Sequence, residues 1–257
     1  MKKTVLFLLL LSNIVSVAQS TYDFDYLLVY KEKCMNHNTE VDILRKIKLR
    51  SENNWEQHDA IDYAYAVNSA NNNYYLQTNE DRNQKDKQNF ELNFHAYTDK
   101  KVIHVRTRIN IQQLYKTKKI ISECSRFRTN EQTKETTDFK EFYFENYKDT
   151  IINDTSYYHY ALRKIEKVVE KDHCFGSVHY VVYKNNPNFL PMLDYIGQFV
   201  WNRDKNIPNG YLKLRYHANF IGEIRSSLEL KEIFSTQKQF VIPKECEEKE
   251  KMKLARN

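Results

Sequence analysis

The sequence predicts a mainly β domain of the α+β class, in which a curved antiparallel sheet carries two or three short helices. The chain of 257 residues contains 19 Tyr and 14 Phe, residue types that favour the half-buried surfaces of strands. Apolar and polar residues alternate along several segments with the period of a strand. Helical periodicity occurs in only two short segments, so the helices are expected to be few.

The first predicted strand lies in residues 22–28. Tyr22, Phe24 and Tyr26 share one face, and Asp23 and Asp25 lie on the other. This alternation is typical of a strand with one solvated face. The two carboxylates could also form an acid–base pair, but no feature of the sequence buries them.

Two hairpins are expected next. Residues 63–67 and 74–77 flank an Asn-rich turn, which predicts the first hairpin. Residues 89–109 contain two alternating strands around a polar turn at 98–101, which predicts the second. One register places apolar pairs on one face and polar pairs on the other, whereas a shift by one residue would mix the faces.

That register places His95 directly opposite His104. Opposed imidazoles on neighbouring strands lie close enough to bind one metal ion, so the metal-ligand candidates are His95 and His104. The sequence places no third ligand beside them, and the alternative is a polar cross-strand pair in water.

Two segments have helical periodicity. Residues 161–171 place apolar side chains on one side and charged side chains on the other. Residues 190–201 form the second candidate, with Pro191 near its start. The second helix is apolar around much of its circumference, so it is either buried on several sides or fills an apolar groove. In the groove interpretation the ligand-contacting residues are Tyr195, Phe199 and Trp201.

Residues 212–218 alternate again, with Leu212, Leu214 and Tyr216 on the apolar face. The opposite face is basic. It is expected to be solvated, and binding of an anionic head group is the alternative. The residues of this basic row are Lys213, Arg215 and His217.

The remaining C-terminal residues predict two more strands, over 223–230 and 239–242. Residues 247–257 are charged and contain little to bury, so they are expected to form a frayed tail.

Cysteine usage fits an oxidising compartment. An even number of cysteines in an exported chain indicates up to two disulfides, with three possible connectivities that the sequence does not rank. No two cysteines have the spacing of a zinc knuckle or a thioredoxin-like motif. The disulfide candidates are Cys34, Cys124, Cys174 and Cys246.

Residues 1–18 have the pattern of a signal peptide. Lys2 and Lys3 precede a short apolar run at 5–11, and small residues precede Gln19, before which we expect cleavage. The apolar run is too short to cross a bilayer and no second one follows, so no transmembrane segment is expected in the mature chain. Residues 19–246 are expected to form a single β-rich domain that is periplasmic or secreted and soluble.

Charge and motifs exclude several function classes. The formal net charge of +6 falls to +4 without Lys2 and Lys3, and it is spread along the chain, so nucleic acid is not an expected partner. No nucleophile elbow, phosphate-binding loop or zinc-protease motif occurs, and the first Gly is at position 176. We therefore predict no catalytic residue and no cofactor.

The Ala18-Gln19 cleavage point, the Asn-, Lys- and Tyr-rich composition and the ending at residues 240–246 resemble the uncharacterised secreted proteins common in Bacteroidota. The strand-dominated plan is similar to periplasmic lipoprotein-carrier folds, in which a curved antiparallel sheet wraps helices around an apolar groove. That resemblance implies binding of an acyl chain. The leading hypothesis is a non-enzymatic exported protein that binds an apolar or amphipathic, lipid-like ligand. The alternative is a cell-envelope interaction module that binds a protein or a polysaccharide.

Overall fold

A computed structural model describes eight ranges of the chain. These ranges are 19–34, 62–80, 89–97, 101–124, 127–131, 139–165, 176–219 and 221–254. The predicted signal peptide, Cys174 and the second half of the helix predicted over 161–171 lie outside the described residues.

The described residues form thirteen strands and three helices. The strands are β1 (Ser20–Cys34), β2 (Asp62–Asn68), β3 (Asn71–Glu80), β4 (Asn89–Tyr97), β5 (Lys101–Asn110), β6 (Lys119–Ile121), β7 (Phe127–Glu131), β8 (Phe142–Asn146), β9 (Thr150–Ile152), β10 (Thr155–Lys164), β11 (Ser177–Tyr183), β12 (Leu212–Ala218) and β13 (Ile224–Ile242). The helices are α1 (Ile111–Lys116), α2 (Tyr195–Asp204) and α3 (Lys244–Leu254).

All thirteen strands belong to one curved, open sheet, which confirms the predicted fold class. The strand order is β7-β5-β4-β3-β2-β1-β13-β12-β11-β10-β8, with β6 added beside β13 and β9 beside β10. Every pairing is antiparallel except that of β6 with β13. The central strand β1 joins the two halves because it pairs with β2 on one edge and with β13 on the other.

The sheet is buried on both faces at β2. In β2, Tyr65 and Val67 point to the face on which α2 packs, whereas Ala64 and Ala66 point to the opposite face. A strand buried on both faces has no polar side to expose, so its sequence is a nearly continuous apolar run. We call the first surface the α2 face, and its core includes Leu28, Tyr30, Tyr180, Val200 and Trp201.

The predicted pairing of β4 with β5 is confirmed residue by residue, and His95 is opposite His104. The predicted β2–β3 hairpin also forms, but its turn is at Ser69–Ala70 and the asparagines 71–73 begin β3. Alternation therefore gave the pairing correctly, while composition misplaced the turn by a few residues.

The helix predicted to begin at residue 161 is wrong in its described part, because Ala161 lies within β10. Tyr160, Ala161 and Leu162 are all fully or almost fully buried, so β10 is covered on both faces at this point. The resulting apolar run has no strict alternation and imitates helical spacing.

Two C-terminal predictions also change. The two short strands expected over 223–230 and 239–242 are the ends of one long strand, β13. The tail expected to fray from residue 247 is helical as far as Leu254, because α3 is attached by a disulfide between Cys246 and Cys124. Of the other cysteines, Cys34 ends β1.

Candidate functional site

A bulge in β12 decides which of its side chains reach the core of the α2 face. Val181 pairs with Leu214, but Val182 pairs with Leu212, so Lys213 is an extra residue. An extra residue shifts the alternation of the strand by one, so the residues after it point to the opposite face from the one that strict alternation predicts. Arg215 is consequently directly opposite Tyr180, a core residue of the α2 face, and it is half-buried instead of solvated as predicted, whereas His217 is exposed.

Arg215 lines a cavity of about 290 Å³, which we call the Arg215 cavity. Strands of the sheet form one wall, and the segment that leads into α2 forms the other. The cavity combines two phenols, an amide, a carboxylate and a guanidinium with apolar surface. Its lining residues are Tyr65, Tyr75, Gln77, Met192, Leu193, Asp194, Arg215 and His217.

The Arg215 guanidinium is the dominant charge in this cavity. Its Nε is buried and has no hydrogen-bond partner. Arginine stays protonated at any physiological pH, so the group is a cation that forms a hydrogen bond with Tyr65 while its Nε donor is unused. Burial alone lowers the pKa of Arg215, but nearby Tyr65, Tyr180 and Asp194 outweigh burial and raise that pKa.

The surrounding phenols are neutral donors. Burial raises the pKa of Tyr65 to about 12, although the Arg215 guanidinium acts in the opposite direction. Burial likewise raises the pKa of Tyr75, whose hydroxyl contacts that of Tyr97 at 3.2 Å. Neutral phenols beside a cation form a wall that can donate to an anion and stack on apolar groups.

Residues 189–194 lead into α2, and we call them the strap; residues 192–194 of the strap line the cavity on the helix side. The strap is attached to the β2–β3 hairpin because Leu190 donates its N–H to the Ser69 carbonyl at 2.8 Å. Asn72 donates to the Pro191 carbonyl at 3.0 Å, and Gln198 donates to Asn73 at 3.1 Å. These contacts hold the apolar side chains of the strap over the cavity.

The strap ends at Asp194, which also begins α2. The Asp194 carboxylate accepts the Gly197 N–H at 2.8 Å, which is the usual N-cap interaction. The helix was predicted to start at residue 190, but it begins at Tyr195, and residues 190–194 belong to no helix or strand. Asp194 thus has two roles, because the carboxylate that caps the helix is also part of the cavity wall.

The three aromatic residues predicted to contact a ligand do not line this cavity. Tyr195 packs on Tyr97 and Phe139, each at a ring distance of 5.4 Å, and Phe199 packs on Phe139 at the same distance. Trp201 is 9% exposed and carries the Lys205 ammonium 3.0 Å from its ring centroid. Their contacts with one another and with the sheet attach α2 to the β-sheet core.

The predicted metal ligands His95 and His104 are neighbours, with ring centroids 4.6 Å apart in an edge-on arrangement. Tyr75 stacks on His95 at 4.9 Å. Burial, then His104 and Arg106, lower the pKa of His95 to about 4, so this imidazole is neutral at pH 7. Within the described ranges, no cluster of three or more His, Cys, Asp or Glu side chains could hold a metal ion.

Four residues of the Arg215 cavity carried no signal in the sequence. Tyr65, Tyr75 and Gln77 come from two strands of the hairpin, and Asp194 comes from a segment predicted as helix. The one useful signal was the basic row that includes Arg215, for which an anionic head group was the alternative ligand.

No protein-family model matches the chain, and no curated protein matches it. Among solved structures, one match is an uncharacterized conserved protein from Thermus thermophilus. The alignment covers 90% of this chain and 87% of that chain, with 8% sequence identity and a TM-score of 0.34. In the part of the chain that is described, no helix has the length and apolar character needed to cross a membrane.

Proposed function

We propose that this protein is an exported, non-enzymatic binding protein that holds a small amphipathic anion in the Arg215 cavity. The anionic group of the ligand binds the Arg215 guanidinium, and its apolar part lies against the strap and the tyrosine rings. Export rests on the signal pattern of residues 1–18.

The buried and unpartnered Nε of Arg215 is the observation that carries this proposal. A buried donor without an acceptor costs about 1–3 kcal/mol, and more for a charged group. A ligand carboxylate or phosphate removes this cost because it supplies an acceptor with the geometry of the guanidinium. A neutral oxygen can also accept this hydrogen bond, but the bond lacks the added strength that an ionised acceptor gives.

The other walls support an apolar body for the ligand. Leu193 is 3% exposed and Met192 is 8% exposed, and both line the cavity beside the rings of Tyr65 and Tyr75. The volume of about 290 Å³ is near the lower end of the range for small-molecule sites. A medium-length acyl chain fits this combination of size and chemistry better than a sugar or a peptide.

Decanoate and decanol provide a direct test, because they share the same chain and differ in the head group. We expect decanoate to bind the mature protein at least tenfold more tightly than decanol in isothermal titration calorimetry. Arg215→Met should weaken decanoate binding by about tenfold to a hundredfold, since a hydrogen bond to a charged group contributes about 1.5–3 kcal/mol.

Arg225→Met is the matched control, because Arg225 pairs with Glu223 at 3.7 Å and does not line the cavity. This variant should bind decanoate like the wild type. Equal binding of decanoate and decanol, or unchanged binding by Arg215→Met, would contradict the proposal. Native mass spectrometry of protein purified from its own host without detergent then identifies the natural ligand by its mass.

A further inference from the structure

A second polar cluster lies on the face of the sheet opposite α2. Tyr216 follows Arg215 in β12 and points the other way, where it is directly opposite His179 of β11. His159 of β10 is diagonal to His179, and Ala161 lies between His179 and the edge strand β8. Because Ala161 is small, the space above it is left to the larger neighbouring side chains.

Two imidazole nitrogens and one hydroxyl oxygen, all atoms that can bind a metal ion, lie close together in this cluster. Nε2 of His159 is 3.1 Å from Nδ1 of His179, and the Tyr216 hydroxyl is 3.3 Å from the same Nε2. In tetrahedral coordination with metal–nitrogen bonds of about 2.0–2.1 Å, two ligand atoms are about 3.3 Å apart. The two imidazole nitrogens are therefore already near the separation that a single metal ion requires.

Neighbouring groups hold both imidazoles in place. Ser177 forms a hydrogen bond of 2.8 Å with Nε2 of His179, so the opposite ring atom, Nδ1, is the one that faces His159. The Tyr216 ring stacks on His179 at 4.4 Å with an interplanar angle of 5°, and Tyr147 stacks on His159 at 4.8 Å. Proteins commonly orient a metal-binding histidine through a hydrogen bond to its second ring nitrogen.

We propose that His159, His179 and Tyr216 bind a divalent transition metal ion, for which Zn²⁺ is the representative ion. The two imidazoles supply nitrogen ligands, Tyr216 releases its phenol proton to solvent and supplies a phenolate oxygen, and water completes the coordination. When the metal enters, the hydrogen between the two nitrogens moves to the other ring nitrogen of His159, so both atoms offer lone pairs.

Both imidazoles of this cluster are in the uncharged form. Burial lowers the pKa of His159, and burial, His159 and Arg163 lower that of His179 to about 4, so both rings are neutral at pH 7. Metal ligands must be in this deprotonated form. Arg163 is the nearby cation, but its guanidinium pairs with Glu145 at 2.9 Å, which compensates its charge.

The test is a titration of chelator-treated mature protein with ZnCl₂ in competition with a chromogenic chelator. We expect one zinc ion per chain, and we expect His159→Gln and His179→Gln each to abolish its binding. His95→Gln is the matched control, because it removes a histidine from the other pair and should leave zinc binding unchanged. Circular dichroism confirms that each variant is folded.

Two milder variants keep the test valid if a histidine variant does not fold. Ser177→Ala should weaken zinc binding by about tenfold, since outer partners of metal ligands typically contribute tenfold to a hundredfold. Tyr216→Phe should weaken it without removing the imidazoles. A wild-type protein that binds no zinc, or binding that is lost in His95→Gln but not in His179→Gln, would overturn the proposal.

Discussion

Arg215 and Tyr216 are neighbours in the chain, yet they belong to two polar sites of opposite character. Arg215 enters a cavity under α2, where its buried Nε has no acceptor. Tyr216 lies on the other face, in a partly exposed cluster whose two imidazoles are neutral at pH 7. The first site holds a guanidinium whose Nε has no acceptor, and the second holds two neutral imidazoles that are hydrogen-bonded to each other.

The contrast shows how one strand can supply two sites without a loop. Successive side chains of a strand point to opposite faces, so adjacent residues belong to different environments. Burial then acts differently on each site. Arginine keeps its charge when it is buried, whereas histidine loses its proton and becomes a ligand for metal ions.

The largest expected effect is on stability and concerns the disulfide between Cys124 and Cys246, which joins residues 122 positions apart. The variant also tests whether the two sites depend on this disulfide. Replacing both cysteines with Ala should lower the free energy of unfolding by about 4 kcal/mol, as expected for a loop of this length. Urea denaturation measures this loss. At 25 °C the folded variant should still bind decanoate and zinc, because neither site contains these cysteines.

Reduction of the wild-type protein with dithiothreitol should reproduce most of that loss, and the double variant should not respond to the reductant. An unchanged unfolding midpoint in the double variant would show that the disulfide does not contribute to stability.

The next test compares the two neighbours directly through stability. Arg215→Met should lower the free energy of unfolding by about 1.5–3 kcal/mol, because Met loses the charged hydrogen bond to Tyr65 and the attraction to Asp194. Tyr216→Phe should lower it by about 0.5–1 kcal/mol, the usual contribution of one hydrogen bond. Thermal and urea unfolding report both values.

A larger loss of stability in Arg215→Met than in Tyr216→Phe would sharpen the comparison, because the guanidinium would then stabilise the fold as well as bind the ligand. A gain of stability in Arg215→Met would instead show that the guanidinium is retained for binding at a cost in stability.

The smallest test concerns Asp194, the one carboxylate in the wall of the cavity. Asp194→Asn removes a negative charge that opposes an anionic ligand, so it should tighten decanoate binding by about threefold. The free energy of unfolding should change little, since Asn is as good an N-cap as Asp. Calorimetry with decanoate and thermal unfolding separate the two effects.

Asp194→Ala is the companion variant, because it removes both the charge and the cap. It should be destabilised by about 1 kcal/mol and still bind decanoate more tightly than the wild type. Weaker binding by Asp194→Asn would mean that the carboxylate orients the ligand or Arg215 instead of opposing the anion.

Some features of this fold could be predicted because they depend on local alternation. The pairing of His95 with His104 is an example, since the apolar face of each strand allows only one register. Ala161 shows where alternation fails, because β10 is buried on both faces and its apolar run imitates a helix. Arg215 shows a second kind of failure, since the bulge at Lys213 reverses its face and leaves no mark in composition.

The sequence by itself determined the fold class, the register of the β4–β5 hairpin, and a basic strand as a candidate for binding an anion. Only the tertiary structure decided that Cys124 pairs with Cys246, that the Nε of Arg215 is buried, and that His159 meets His179. The physical reason is the separation along the sequence of the residues that interact. Strand period and pairing across a short turn are set by neighbouring residues, whereas a bulge, a disulfide partner and a converging histidine pair depend on how distant segments pack.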